Sequence, residues 1–548
     1  MTGGRVRAFG WGLALPLAVV LAGIAAPLLV QVLGLMALCA GKVVYALDAA
    51  YVHLALAQQI IAGNYGIVPG EAAAPSSTIL YPFLLAALDP LGLGSALPLV
   101  INVLCTVAAG LFAMLLAREC DIALERIPPL RLFVLTVTVT LALNLPGLAI
   151  TGLEHSLHVA MTVAYLLGLV RFVKNGRCDW WWIACIIIQP IIRFEAAAMV
   201  VADALIFVFF RKYRYALAMV AIGVFLVGGY SLFLHSLGLP LLPSSVLARS
   251  EWSKAAVASD GGGGVLPVLF AILRNVKSNA TSFGAAQMLG TLAAAVVWLG
   301  AAGTRLWAET GTKSDRIKLV TLAFMAFVTI AQLTGGKLGW EPPRYEAYVL
   351  VLNMCGLAVI FREQVNAWCE HATWPRVSAI CLALLLVFAG YVVQFVSIPV
   401  SARKEYLGSF QLQRFVTEFY HRPVAVNQLG YVNYRNPDYV LDLSGLGSEA
   451  ARRAQAAQEG PDWMNAFLAS HNIDLAIMDS GTPTAVPESW VRLADLYPGG
   501  SPADPTARYF TFYARSAGAA GPAAEALARF ARTLPPADRL LHQRPAVS

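Results

Sequence analysis

Seven ionisable side chains stand in or beside apolar stretches of this chain: Asp48 in "YALDAAYVHLA", Glu154 and His155 in "TGLEHSLH", Arg193 and Glu195 in "IIRFEAAAM", Arg249 in "LPLLPSSVLARSEW" and Arg344 in "GGKLGWEPPRYEAY". A charge at the centre of a membrane helix costs about 2.5 to 3.5 kcal/mol on insertion scales, so charges kept at helix ends suggest a site. The types also fit together. A carboxylate within reach of a hydroxyl acts as general base, and guanidinium forks bind phosphate. Acids and arginines on one water-accessible face would suit transfer of a group from a phosphate to an alcohol. Each residue also has a plainer reading. Asp48 could cap the helix suggested by "AAYVHLALAQQII", and Arg193 and Glu195 could form an internal salt bridge. Glu154 and His155 could be interfacial polar residues, His53 a packed histidine, and Arg249 or Arg344 a snorkelling anchor.

The elements that must position these groups are membrane helices. The chain has 548 residues, 58% hydrophobic and 13% charged, with a mean hydropathy of +0.65, far more apolar than a soluble globular protein. A bilayer core needs about 20 apolar residues per crossing. Such segments fall near 12–40, 95–117, 130–149, 156–173, 180–192, 196–210, 215–236, 284–303, 318–334, 346–361 and 376–398, which predicts a polytopic α-helical membrane protein of about eleven spans. The first run is too long for the core of a signal peptide and reads as an uncleaved span. The stretch "TILYPFLLAALDPLGLG" is short and Pro-rich and reads as interfacial or re-entrant.

Alternate loops carry seventeen Lys and Arg against about eight in the opposite set. The richer set is expected on the cytoplasmic side, which puts Asp48 outside, together with everything after Ile398. From there the composition changes. Amphipathic stretches alternate with β-rich runs ("PVAV", "DYVLDL", "DLAIMD", "RYFTFYARS"), and fourteen basic side chains balance fourteen acidic ones. This predicts a transmembrane domain at 1–398 and a soluble α/β domain at 399–548. The net charge of +7 forms no single basic patch, so nucleic acid is a poor partner. Eight cysteines show neither CxxC nor His-interleaved spacing and give no metal or redox motif. The run "DGGGG" at Asp260–Gly264 reads as a flexible loop.

Several ordered blocks resemble the GT-C class of membrane glycosyltransferases, which take sugars from polyprenyl-phosphate carriers. They are most similar to bacterial terminal arabinofuranosyltransferases and pilin arabinosyltransferases. The first outer loop of that branch reads "DDAYIH…A.N…G.G…GE…SPL"; here it is "LDAAYVHLALAQQIIAGNYGIVPGEAAAPSST". "SGLE" appears as "TGLEH", "TRPE" as "IRFE", "LLPNTFYAK" as "LLPSSVLAR" and the "RY" block as "PPRYEAY". The soluble stretch "PVAVNQLGYVNYRNPDYVLDLSGLGS" is similar to "VAvgDiGalgYys…viDl.GL".

The resemblance implies Asp48 as the catalytic carboxylate and Arg193, Ser244, Ser245, Arg249 and Arg344 around the donor phosphate. It implies a sugar or acceptor pocket shaped by Tyr51, His53, Glu154, His155, Glu195 and Tyr345. It further implies a polyprenyl-phosphate-linked sugar donor, with arabinofuranose as the sugar, and a glycan, lipid or protein acceptor. The setting would be a bacterial plasma membrane with the C-terminal domain periplasmic. No cofactor is required. Ala49 stands where the family has a second Asp, which removes one carboxylate that a divalent metal would use; Ser244 replaces Asn and Phe194 replaces Pro. Two other classes compete. A transporter or flippase of lipid-linked sugars would place charges at mid-membrane between repeated halves. A non-catalytic assembly or polymer-binding protein would tolerate Asp48→Asn.

Overall fold

The computed structural model describes residues 11–249, 265–282, 284–302, 312–339, 342–457, 460–482, 484–500, 502–504 and 506–542. The Gly run at Asp260–Gly264, Arg5, Arg7 and the side chain of Arg249 lie outside that set. The chain divides into two compact units. One comprises Met1–Gly34, Leu99–Gly228 and Glu251–Ile398; the other Leu35–Pro98, Gly229–Ser250 and Pro399–Ser548. The second unit thus takes two segments from within the first 398 residues, among them the loop that carries Asp48.

The first unit is helical. Among the described residues five helices are long and apolar enough to cross a membrane, or eight if each of three sharply bent helix pairs counts as one span. The expected eleven would also need short helices such as Pro129–Ala142 and Trp180–Ile192, of 14 and 13 residues. The Tyr213–Ser236 helix turns Leu217, Val224 and Phe225 outward at 72%, 67% and 76% exposure, apolar surface that suits lipid and not water. His155–Asn175 is the opposite case, buried over most of its length at the centre of the unit. Its Gly168 lets Trp182 approach: a Cβ there would lie 2.2 Å from the indole. The helix ends at Gly176 in the left-handed conformation, φ 69°.

The second unit is built on a six-stranded sheet, with β1 Val424–Val426, β2 Val440–Asp442, β3 Leu475–Asp479, β4 Val491–Tyr497, β5 Phe510–Ala514 and β6 Arg539–His542. Their order is β2-β1-β3-β5-β4-β6. β1 pairs in parallel with β2 and β3, and β5, β4 and β6 continue antiparallel. Both faces are covered, so the parallel strands are apolar except for the aspartates that end β2 and β3, Asp442 and Asp479. Ala425, Leu441, Ala476 and Met478 pack with Met464 and Leu468 of the Trp463–Ser470 helix. On the other side Phe512 meets Phe415, which in turn meets Phe530 of the Ala520–Ala531 helix edge-on. The runs "PVAV", "DYVLDL", "DLAIMD" and "RYFTFYARS" supply β1, β2, β3 and β5.

Candidate functional site

The second unit holds Asp48. It sits at the N-cap position of the Ala49–Ile61 helix, yet its side chain makes no capping bond. Both carboxylate oxygens accept instead from backbone amides just after β1: Oδ2 from Gly430 N–H and Oδ1 from Tyr431 N–H, each at 2.7 Å. The approach requires glycine at 430, because a Cβ there would lie 2.5 Å from Oδ2. Burial pushes the Asp48 carboxyl above the usual range, against the two amide bonds, the Arg508 charge and Gln428, which pull it down. Asp48 therefore holds its proton more strongly than an exposed aspartate.

Sequence reasoning missed the groups around it. The alternation of the strands puts Gln428, Asp479 and Arg508 on one face of the sheet at the carboxyl edge of β1 and β3. Arg508 donates two parallel bonds to Asp479, Nε to Oδ1 at 2.8 Å and Nη2 to Oδ2 at 2.7 Å, and a further bond to Gln428. Its Nη1 is 3.8 Å from Glu405 Oε1, and its side chain is 44% exposed. Ser409 Oγ links the group, donating to Glu405 at 2.6 Å and accepting from Gln428 Nε2 at 3.1 Å. Glu405 lies beyond the apolar run that ends near residue 398, in the charged stretch "SARKEYL". Burial, with the negative charge of Asp48 adding to it, raises its carboxyl to about 7. Outside the predicted spans a single Glu or Arg carries no cost that flags it. The only hint was position, at the ends of the predicted strands.

Tyr51 is fully buried, its ring 3.7 Å from that of Tyr431 and its hydroxyl accepting from Tyr45 N–H at 3.1 Å. His53 is buried too, with Nδ1 3.2 Å from Ser76 Oγ. Ser244 begins the Ser244–Arg249 helix, and its hydroxyl reaches the carbonyls of Ala74 at 3.0 Å and Leu446 at 2.5 Å. The neighbouring Ser245 Oγ is buried with no partner among the described residues. Glu71, the acid of the "GE" pair, accepts from the Tyr439 hydroxyl, and Asn64 donates to Val68 O at 2.9 Å to shape the loop.

The first unit gathers the other predicted residues. Arg193 occupies a break between helices, in extended backbone. Its Nη1 donates to Glu154 Oε1 at 2.7 Å and its Nη2 to Glu195 Oε1 at 2.6 Å. Exposure is 5% for the arginine side chain, 1% for Glu154 and 25% for Glu195. The Arg193 and Arg344 guanidiniums lie 5.0 and 4.7 Å from the centre of the Tyr345 ring, which His155 meets edge-on at 5.4 Å. His155 Nε2 and Ser156 Oγ are buried without a partner among the described residues. The expected set therefore forms two groups. Asp48, Tyr51, His53, Ser244 and Ser245 belong to one unit, and Glu154, His155, Arg193, Glu195, Arg344 and Tyr345 to the other. Arg193, expected at a phosphate, is held by carboxylates.

Comparison with known proteins adds three findings. A family model described as a domain of unknown function (DUF8728) matches residues 398–513, from the end of the last predicted span into β5. No curated protein matches the chain. Among solved structures the chain is similar to the archaeal oligosaccharyltransferase AglB from Archaeoglobus fulgidus, in complex with an inhibitory peptide and a dolichol-phosphate. That likeness has 12% identity and a TM-score of 0.43, and covers 90% of this chain and 74% of that one.

Proposed function

We propose that the protein is a multi-pass membrane glycosyltransferase that moves a sugar from a polyprenyl-phosphate donor to a hydroxyl of a glycan, lipid or protein acceptor. The reaction would take place at the outer face of a bacterial plasma membrane, and the eleven-span topology belongs to this reading. The observation that carries it is Asp48: a carboxylate on the first outer loop, oriented by two amides at 2.7 Å and, among the described residues, in no direct ion pair. Amide dipoles fix its direction, and burial keeps it basic. Such a group takes a proton from an acceptor hydroxyl as that oxygen bonds to the anomeric carbon. The bond from that carbon to the phosphate breaks, and polyprenyl phosphate leaves with the electron pair. Ser245 is the phosphate donor this reading favours, and arabinofuranose is the sugar it tries first.

The test is purified protein in lipid vesicles, given radiolabelled polyprenyl-phosphate pentoses and hexoses and a cell-envelope extract. Label should pass to the acceptor fraction with release of polyprenyl phosphate. Donor that crosses the bilayer uncleaved, with no transfer from any sugar, would replace this reading with the flippase.

A further inference from the structure

Between two helices of the first unit we infer a binding site for an anionic phospholipid of the cytoplasmic leaflet, with an acyl chain in an apolar groove and the phosphate on cations at its mouth. The Ala197–Phe209 helix contributes Leu205, Ile206 and Phe209, and the Lys313–Gly335 helix contributes Val320, Phe324 and Phe327. Ala202 and Ala323, one on each helix, leave the gap between them open, and the cavity measures about 260 Å³. Every lining side chain is apolar. Phe324 is braced from behind by Tyr165, stacked on it at 4.7 Å, whose hydroxyl donates to Asp203. Leu205 and Phe209 are 55% and 64% exposed. Among the described residues the groove therefore opens outward, where a membrane helix meets lipid.

The mouth selects the lipid. The two helices run antiparallel: Gln332, near the end of the second, accepts from the Tyr348 hydroxyl at 3.0 Å, and Tyr345 lies against Arg193, just ahead of the first. The end of the first helix and the start of the second therefore meet at one end of the groove. Arg211 and Lys212 follow Phe209 there, with Arg211 in the left-handed conformation at φ 57°. Lys313 and Arg316 stand on the same helical stripe as Val320, Phe324 and Phe327, one and two turns nearer the mouth. All four cations are exposed and in no ion pair among the described residues. Asp315, the acid beside them, is committed to the capping box with Thr312. Both segments belong to the loop set that the count of Lys and Arg assigns to the cytoplasm, the side whose leaflet carries anionic lipid. An apolar groove alone does not tell one lipid from another, whereas cations at its end favour a negative head group. From Val320 to Phe327 the helix rises about 10 Å, which keeps the groove within one leaflet. The polyprenyl donor of the proposed reaction belongs to the other face, so this site is separate from it and stands whether or not sugar is transferred.

Binding is read by native mass spectrometry of the full-length protein released from detergent, with phosphatidylglycerol and phosphatidylcholine of matched chains and neither donor nor acceptor present. Phosphatidylglycerol should bind about tenfold more tightly. Arg211→Gln combined with Arg316→Gln should remove most of that preference. Arg376→Gln, at an exposed arginine on another helix of the same loop set, should leave it intact. Ala323→Phe fills the groove from an exposed position without touching a charge, and should weaken phosphatidylglycerol binding several-fold. The paired arginine variant still decides the matter if Ala323→Phe does not fold. Equal binding of the two lipids would overturn the site, as would a preference that survives the paired variant or falls equally with Arg376→Gln. Binding unchanged by Ala323→Phe, or displacement of phosphatidylglycerol by chain-free glycerophosphoglycerol, would reduce it to a surface charge effect and overturn the groove. Tighter binding of polyprenyl phosphate than of phosphatidylglycerol would overturn it too, by making the groove part of the donor site.

Discussion

The two units treat buried charge in opposite ways. In the helical unit Arg193 is clasped by Glu154 and Glu195, so charge is cancelled by charge in a nearly dry setting. In the sheet unit Asp48 is met by two amide N–H groups, while the nearest guanidinium, Arg508, is bound to Asp479 and partly open to solvent. On the reading proposed above, the first arrangement fixes a structure, and the second orients a carboxylate able to exchange a proton. Ionisable residues near membrane helices are costly in both units, and their cost alone does not say which are structural and which are chemical. Their partners do.

The comparison can be broken most heavily at Arg193. Arg193→Met takes the guanidinium away from the buried acid Glu154 and should cost about 3 to 5 kcal/mol of stability, read as loss of folded protein in detergent. Combining it with Glu154→Leu should recover most of that loss if the group is structural. Continued loss in the double variant would give these residues a further role.

Gly430→Ala attacks the other arrangement while leaving every charge in place. The added methyl lies against the carboxylate and should displace it by about 1 Å, enough to lower transfer on the order of 100-fold. Unchanged transfer would show that the amide clasp does not matter.

A third effect is a pH dependence at Glu405. Its carboxyl titrates near 7 in the folded chain against an ordinary 4.5. Between those values the unfolded chain releases a proton that the folded chain keeps, so stability should fall as pH rises from about 4.5 to 7 and level off above. Glu405→Gln should flatten that slope in thermal melts at pH 5, 6, 7 and 8. An identical slope in the variant would remove Glu405 as its source.

Much of this was legible in the chain. Apolar runs marked the long helices, and alternating β-branched and aromatic residues marked β1, β2, β3 and β5. β4 and β6 were not anticipated: "VRLADLY" mixes charge into its strand, and "RLLH" is an exposed edge too short to stand out. The residues around Arg193 were found because membrane charges are conspicuous. Glu405, Asp479 and Arg508 were not, because acids and arginines are ordinary outside apolar runs and only the fold of the sheet unites them. Asp48 could also be read as a helix cap, and the backbone donor that decides otherwise, Gly430 N–H, lies 382 positions along the chain.

The most direct measurement is the transfer rate of Asp48→Asn beside wild type, in the same vesicles and at equal folded protein. Asparagine points an N–H₂ at one of two amide donors and should cost about 1 to 3 kcal/mol locally, so folding is checked by gel filtration. The account predicts transfer at least about 1,000-fold below wild type from a protein that still elutes as a single folded species. Transfer at the wild-type rate would contradict it and remove Asp48 from the chemistry.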